Sequence, residues 1–120
     1  MRYAMLICGV EDADGDQHTA TPAETMNRIM DWVARWRAAG AILPGGDELD
    51  VARTARTIRP GADGAPVVTD GPYLELKEVI GGILFLEAAD LDAAVAIAAT
   101  WPGLGAGTTT SVEVRPVMDH

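Results

Sequence analysis

One cysteine, one serine and two histidines are all that 120 residues provide of the side chains most used for covalent and metal chemistry. A single Cys8 excludes an intrachain disulfide and a cysteine metal cluster, and its place in an apolar stretch suits a small buried strand residue. Ser111 stands in a strand-like segment with no histidine near it, which argues against a Ser-His-Asp triad. His18 falls in a polar loop and His120 is the final residue, so neither is held as an orientated base or ligand, and no metal site is expected. Positive charge is also scarce: nine basic residues face eighteen acidic ones, a net charge of −9. A duplex-binding protein needs a basic footprint to displace counterions, so nucleic acid is not expected as a partner. The densest group of three is Arg53, Arg56 and Arg59, and strand spacing would put Arg53 and Arg59 on one face and Arg56 on the other. No apolar run approaches the ~20 residues of a membrane span. "MRYAMLICGVEDADGD" is too short for a secretory signal and has acidic residues where a cleavage site belongs, so the expected location is cytoplasmic, with no membrane partner.

What remains is a globular composition, 48% hydrophobic and 22% charged, sized for one domain over residues 1–120. "YAMLIC", residues 3–8, reads as a strand apolar on both faces. Asp12, Asp14 and Asp16 invite a calcium-loop reading, but its sixth and twelfth positions hold Gln17 and Ala23 instead of glycine and glutamate. Thr21-Pro22-Ala23-Glu24 forms a capping box that starts a helix, with Met26, Ile29, Met30, Val33 and Trp36 inward, Trp32 at the edge of that stripe and Gly40 as the stop. "AILPGG" suggests a brief strand and turn, and "VARTARTIRP" a polar peripheral strand or arm. Ile80 to Glu87 is the strongest strand. Asp90 caps a second helix facing inward through Leu91, Ala94, Val95 and Ala98, which "WPGLG" ends, and "SVEVRPV" is the last strand.

The order strand, helix, strand, strand-rich insert, strand, helix, strand predicts an α+β protein of ferredoxin-like, split βαβ type, with both helices on one sheet face. Two strands apolar on both faces then need a cover on the other side. A second copy of the sheet provides it, making a homodimer; the alternative is that residues 41–68 fold over that face.

The stretch "TDGPYLELKEVIGG", residues 69–82, has more chemistry than a turn requires. Gly71 and Pro72 are read as the structural turn. Asp70 either caps that turn or acts as a proton donor or acceptor in a loop over an apolar cavity. Tyr73 and Lys77 supply a hydroxyl and a positive charge nearby, while Glu75, Lys77 and Glu78 are by default solvated charges. "GLGAG", residues 103–107, lacks the following helix and lysine of a phosphate cradle.

"VTDGPYLELKEVIGGILFLEAADLDAAVAIAATWP" and "SVEVRPV", together with "MRYAMLICG" and "RAAGAILPGGDEL", resemble the DGPF branch of the YCII-related family over most of the chain. The resemblance implies a dimeric α+β barrel. It implies little about activity: some members are associated with sigma-factor operons, and a broader-family relative removes chloride from a chlorinated hydroxyquinol. The histidine–aspartate pair suggested as the active site of the broader family is incomplete here, since no histidine lies between His18 and His120. Tyr73 replaces the motif's phenylalanine.

Three functional readings follow. The first is a small-molecule-binding protein that works as a cofactor-independent enzyme. In it Asp70 is general acid or base on an aromatic or unsaturated molecule, facing a cavity between sheet and first helix near Trp32 or Met30, with Tyr73 and Lys77 in reach. The second is a noncatalytic ligand-binding or regulatory dimer. The third is a structural partner for another protein, with the acidic surface as its docking face.

Overall fold

The computed structural model describes residues 1–10, 22–71, 78–105 and 110–120. Its elements run β1 (Arg2–Val10), α1 (Ala23–Ala38), β2 (Ile42–Glu48), β3 (Arg56–Pro60), β4 (Pro66–Asp70), β5 (Glu78–Glu87), α2 (Leu91–Ala98) and β6 (Ser111–Pro116), with one turn of 3-10 helix at Ala52–Thr54. A four-stranded sheet has the order β2-β5-β1-β6, and β3 pairs only with β4 in a separate hairpin. Every pairing is antiparallel. Two βαβ passages are thus interleaved in one mixed α+β fold.

Register decides what each sheet face carries. Tyr3 lies opposite Leu86 and Pro116, Met5 opposite Leu84 and Val114, and Ile7 opposite Gly82 and Val112. Alternation puts these on one face, and Tyr3, Met5 and Leu86 are the most deeply buried large side chains. The helices close that face: Trp32 from α1 and Ala94 and Ala98 from α2 join the same core, with Ile42 from β2 and Trp101 after α2. Burial of this apolar surface is the main favourable term in the fold.

Both helices are turned from the orientation expected of their sequences. In α1 the inward stripe is Ile29, Trp32, Val33 and Trp36, with Trp32 buried and Met30 63% exposed. Met30 sits roughly 100° round from Ile29, outside a stripe centred on the indole of Trp32. In α2, Ala94, Ile97 and Ala98 face the core while Leu91 and Val95 are exposed. Two alanines let the α2 backbone approach the sheet closely, and Trp101 fills the space beyond them.

The helix ends follow the local chemistry. Asp90 caps α2, its Oδ1 accepting from the Ala93 N–H at 2.8 Å. Helix α1 closes as a Schellman motif: Ala41 N–H donates to Trp36 O at 2.9 Å and Gly40 N–H to Arg37 O at 3.0 Å. At the other end of α1, Pro22 occupies the N-cap position with no side-chain cap bond. Thr21, the expected cap, lies outside the described residues.

The insert forms an arm. Its tip closes through Gly61 N–H to Ala65 O at 2.7 Å and Asp63 Oδ1 accepting from Ala65 N–H at 3.0 Å. Its strands pack mainly against each other. The molecule measures 49 × 39 × 20 Å with a radius of gyration of 16.2 Å, against about 14 Å for a compact chain of this length. The expectation that Arg53 and Arg59 share a strand face is corrected, because Arg53 belongs to the 3-10 turn that precedes β3.

Candidate functional site

Asp70 ends β4, directly opposite Arg56 at the start of β3. That register explains their ion pair, with Arg56 Nε 3.1 Å from Asp70 Oδ1. The Arg56 guanidinium also donates to Ala55 O at 3.0 Å, which turns the side chain back along its own strand. Gly71 follows at φ 86°, a backbone conformation that side chains resist. Its N–H donates to Ala55 O at 2.8 Å, and its carbonyl accepts from the Thr57 hydroxyl at 2.7 Å. The end of β4 is thereby tied to residues 55–57, and the Asp70 carboxylate is aimed by that knot.

The setting of Asp70 differs from the expected one. Its side chain is 89% exposed and that of Arg56 is 57% exposed, so the pair is solvated and contributes little to stability. The expectation that Asp70 faces a cavity between sheet and α1, beside Trp32 or Met30, is corrected on both sides. Met30 points to solvent, and Trp32 is packed into the core with its indole N–H donating to Thr100 Oγ1 at 2.8 Å. Ile29, Val33 and Trp36 fill the same layer. Pro72, Tyr73 and Lys77, the remaining residues of the expected site, lie outside the described residues, as do His18 and the acidic run at Asp12, Asp14 and Asp16.

The sheet face away from the helices is a different surface. Ala4 lies opposite Phe85 and Arg115, Leu6 opposite Ile83 and Glu113, and Leu43 opposite Phe85. Leu6, Leu43, Ile83 and Phe85 are half-buried by their neighbours within the sheet, while the core cluster and both helices occupy the opposite face. An ion pair between Arg115 Nε and Glu113 Oε2, 2.8 Å long, borders this apolar band on β6. A β-bulge between Ile7 and Cys8 brings Cys8 opposite Ile80, which is itself exposed. The insert does not cover this band within the chain, because β2 joins the sheet edge and β3 and β4 pair with each other.

Two features escaped reasoning from the sequence. Arg56 is the partner of Asp70, and the only clue would have been the hairpin register, which the turn "GADG" at residues 61–64 sets. The other is a shallow open depression lined by Glu48, Leu49, Asp50 and Val51, where β2 leaves the sheet. Among the described residues no group of three or more His, Cys, Asp or Glu is placed to hold a metal ion, and no helix is long and apolar enough to cross a membrane.

Residues 1–118 match the family model of the YCII-related domain. No curated protein matches the chain.

Proposed function

Because the chain belongs to the YCII-related domain family, we propose that it is a small-molecule-binding protein of that family's DGPF branch, working as a homodimer whose ligand space lies against the helix-free sheet face. The observation that carries this reading is the band of Leu6, Leu43, Ile83 and Phe85, apolar and without a covering element among the described residues. Such a face is stable in water when a second copy lies on it, and two ferredoxin-like sheets meeting this way form a barrel. Space left between them would be apolar with a polar margin at Glu113 and Arg115, the composition of a small-molecule site. The strongly acidic balance disfavours nucleic acid as a partner.

The noncatalytic form of this reading is favoured by one fact: Asp70 is solvated and already engaged by Arg56. In the catalytic form the dimer or a ligand buries Asp70 as general acid or base for an aromatic or unsaturated molecule, without a cofactor, and Tyr73 and Lys77 assist. A thermal-shift screen of small phenols and organic acids separates the two, since ligands of the native state raise the melting temperature by mass action. We expect a subset of aromatic acids to stabilise the wild type and Asp70→Asn equally. Loss of the shift in Asp70→Asn would move the assignment to the catalytic form. A flat response across the panel at millimolar concentration, in protein shown to be dimeric, would overturn small-molecule binding.

A further inference from the structure

The sheet ends on β6, with one edge of that strand bonded and the other open. β6 is the last strand in the order β2-β5-β1-β6, and just beyond it the Val117 N–H donates to Arg2 O at 2.9 Å in the same antiparallel register. Bonding direction alternates along a strand, so Ser111, Glu113 and Arg115 bond toward β1 while Val112, Val114 and Pro116 turn their backbone polar groups outward. Proline falls on the outward side, where no bond to β1 needs its missing N–H. Among the described residues no strand meets these outward groups. The other edge, β2, is poorly made for pairing: Pro44 and Gly45, at φ 103°, interrupt it, and its register with β5 shifts between Leu43 and Asp47. β6 has no such break. Above it lies α2, which packs on β6 and β1. The core residues of α2 are Ala94, Ile97 and Ala98, and Thr100 ties its α1 side to Trp32. Leu91 and Val95 are exposed on the opposite flank, over the open edge.

We infer that β6 is the seam of the homodimer, pairing antiparallel with β6 of a second copy about a two-fold axis at Val114. The groups on the open edge then find counterparts. Val114 exchanges both backbone bonds with the other copy's Val114, each Val112 N–H meets a Pro116 C=O, and the ladder ends at prolines that have no donor to leave unpaired. Glu113-Val114-Arg115 is self-complementary in this register, because each Glu113 falls directly opposite the other copy's Arg115. Their pair along the strand, Arg115 Nε to Glu113 Oε2, is kept: a carboxylate has further acceptor sites and a guanidinium further donors, so the side chains of both copies form an alternating square. The same axis sets α2 beside its copy roughly 10 Å away, two strand spacings, the distance at which helices pack. Their Leu91 and Val95 flanks then face each other. Two four-stranded sheets become one of eight strands, with all helices on one side and both helix-free bands on the other. Coiling of that sheet turns the bands inward, and a barrel of this strand number has room for one small ligand. The inference rests on the homodimer proposed above and says which edge joins it.

Cysteine cross-linking of mixed variants tests it, at two positions whose side chains are exposed in the single chain. In a Cys8→Ser background, Glu113→Cys and Arg115→Cys are prepared as separate proteins, mixed, allowed to exchange subunits and oxidised mildly. Residues directly opposite are within disulfide reach, whereas each position lies a diagonal away from its own copy. The expected result is a covalent dimer, reversed by reductant, that forms several-fold more in the mixture than in either variant alone. Charge gives a second readout. Arg115→Glu and Glu113→Arg should each weaken dimerisation about tenfold by setting like charges opposite one another, and mixing the two should restore it, because unlike charges then meet only across the seam. Failure of the mixture to recover would confine the charges to a role within one strand and overturn the inference. A dimer by light scattering with no cross-link above the single variants would overturn the β6 seam and leave the sheet-face dimer standing. As much product from Glu113→Cys alone as from the mixture would show a different register and also defeat the inference. A monomer at all concentrations would overturn both.

Discussion

Gly71 and Gly103 are both glycines for physical reasons, and the reasons differ. Gly71 has φ 86° with open space where a Cβ would stand, so Gly71→Ala strains the backbone without a clash. We expect a loss of about 1 kcal/mol, or roughly 4 °C in melting temperature, against no measurable change for the charge removal Lys77→Ala. Equal melting curves for the two variants would show that the turn tolerates a side chain. Gly103 lies under the ring of Trp101, where an added Cβ would overlap the indole. That ring is buried in the core, and its N–H has no partner among the described residues. Gly103→Ala must therefore displace Trp101 and should destabilise by about 1–3 kcal/mol, visible as a shift in tryptophan fluorescence together with the lower melting point. An unchanged spectrum would show that the segment after α2 can move away instead.

At the scale of elements, α2 is short and depends on its ends. Asp90 satisfies its first turn, and Thr100 ties its last turn to α1 by accepting from Trp32 while donating to Ile97 O at 2.7 Å. Asp90→Ala should cost about 1 kcal/mol as a lost cap. Thr100→Val keeps the shape but removes the acceptor for the Trp32 indole, and should cost about 1 kcal/mol. Because the two sites are at opposite ends of one eight-residue helix, their double variant measures whether α2 docks as a unit; chemical denaturation gives both single losses and any coupling between them. Simple additivity would mean that the cap and the interhelix hydrogen bond act independently. The register of the hairpin is likewise an element-level property, because it pairs Arg56 with Asp70 across fourteen residues of chain. No local pattern around "TDG" at residues 69–71 carries that information.

The whole molecule is 20 Å deep, about one helix layer on one sheet. This is half of the two-sheet barrel proposed above. Light scattering at low micromolar concentration should give twice the chain mass. Replacing a residue at the centre of the helix-free band, as in Phe85→Glu, should shift the protein to monomer while leaving its helix content intact, since Phe85 lies outside the helix-bound core. Loss of helical circular dichroism in this variant would mean that Phe85 supports the fold of the single chain. A wild-type monomer would remove the barrel and, with it, the proposed ligand space.

The order of elements, the Asp90 cap, the Gly40 stop, the two-faced apolar strands and the family are all legible in the amino-acid sequence. Each of these is written in periodicity, turn chemistry or motif within a few residues, where chain connectivity alone brings the groups together. The other features depend on packing between segments far apart in the chain. The first helix carries apolar residues over more than one stripe, so periodicity could not choose between an inward face with Met30 and one centred on Trp32. The sheet chose Trp32, whose flat ring fills the layer and whose N–H reaches Thr100, 68 residues away. The second helix turned its alanines inward for close approach, leaving Leu91 and Val95 outside. The setting of Asp70 was likewise beyond local reading, because burial is a property of what packs over a residue: the hairpin stands off the sheet, and its aspartate faces water beside Arg56.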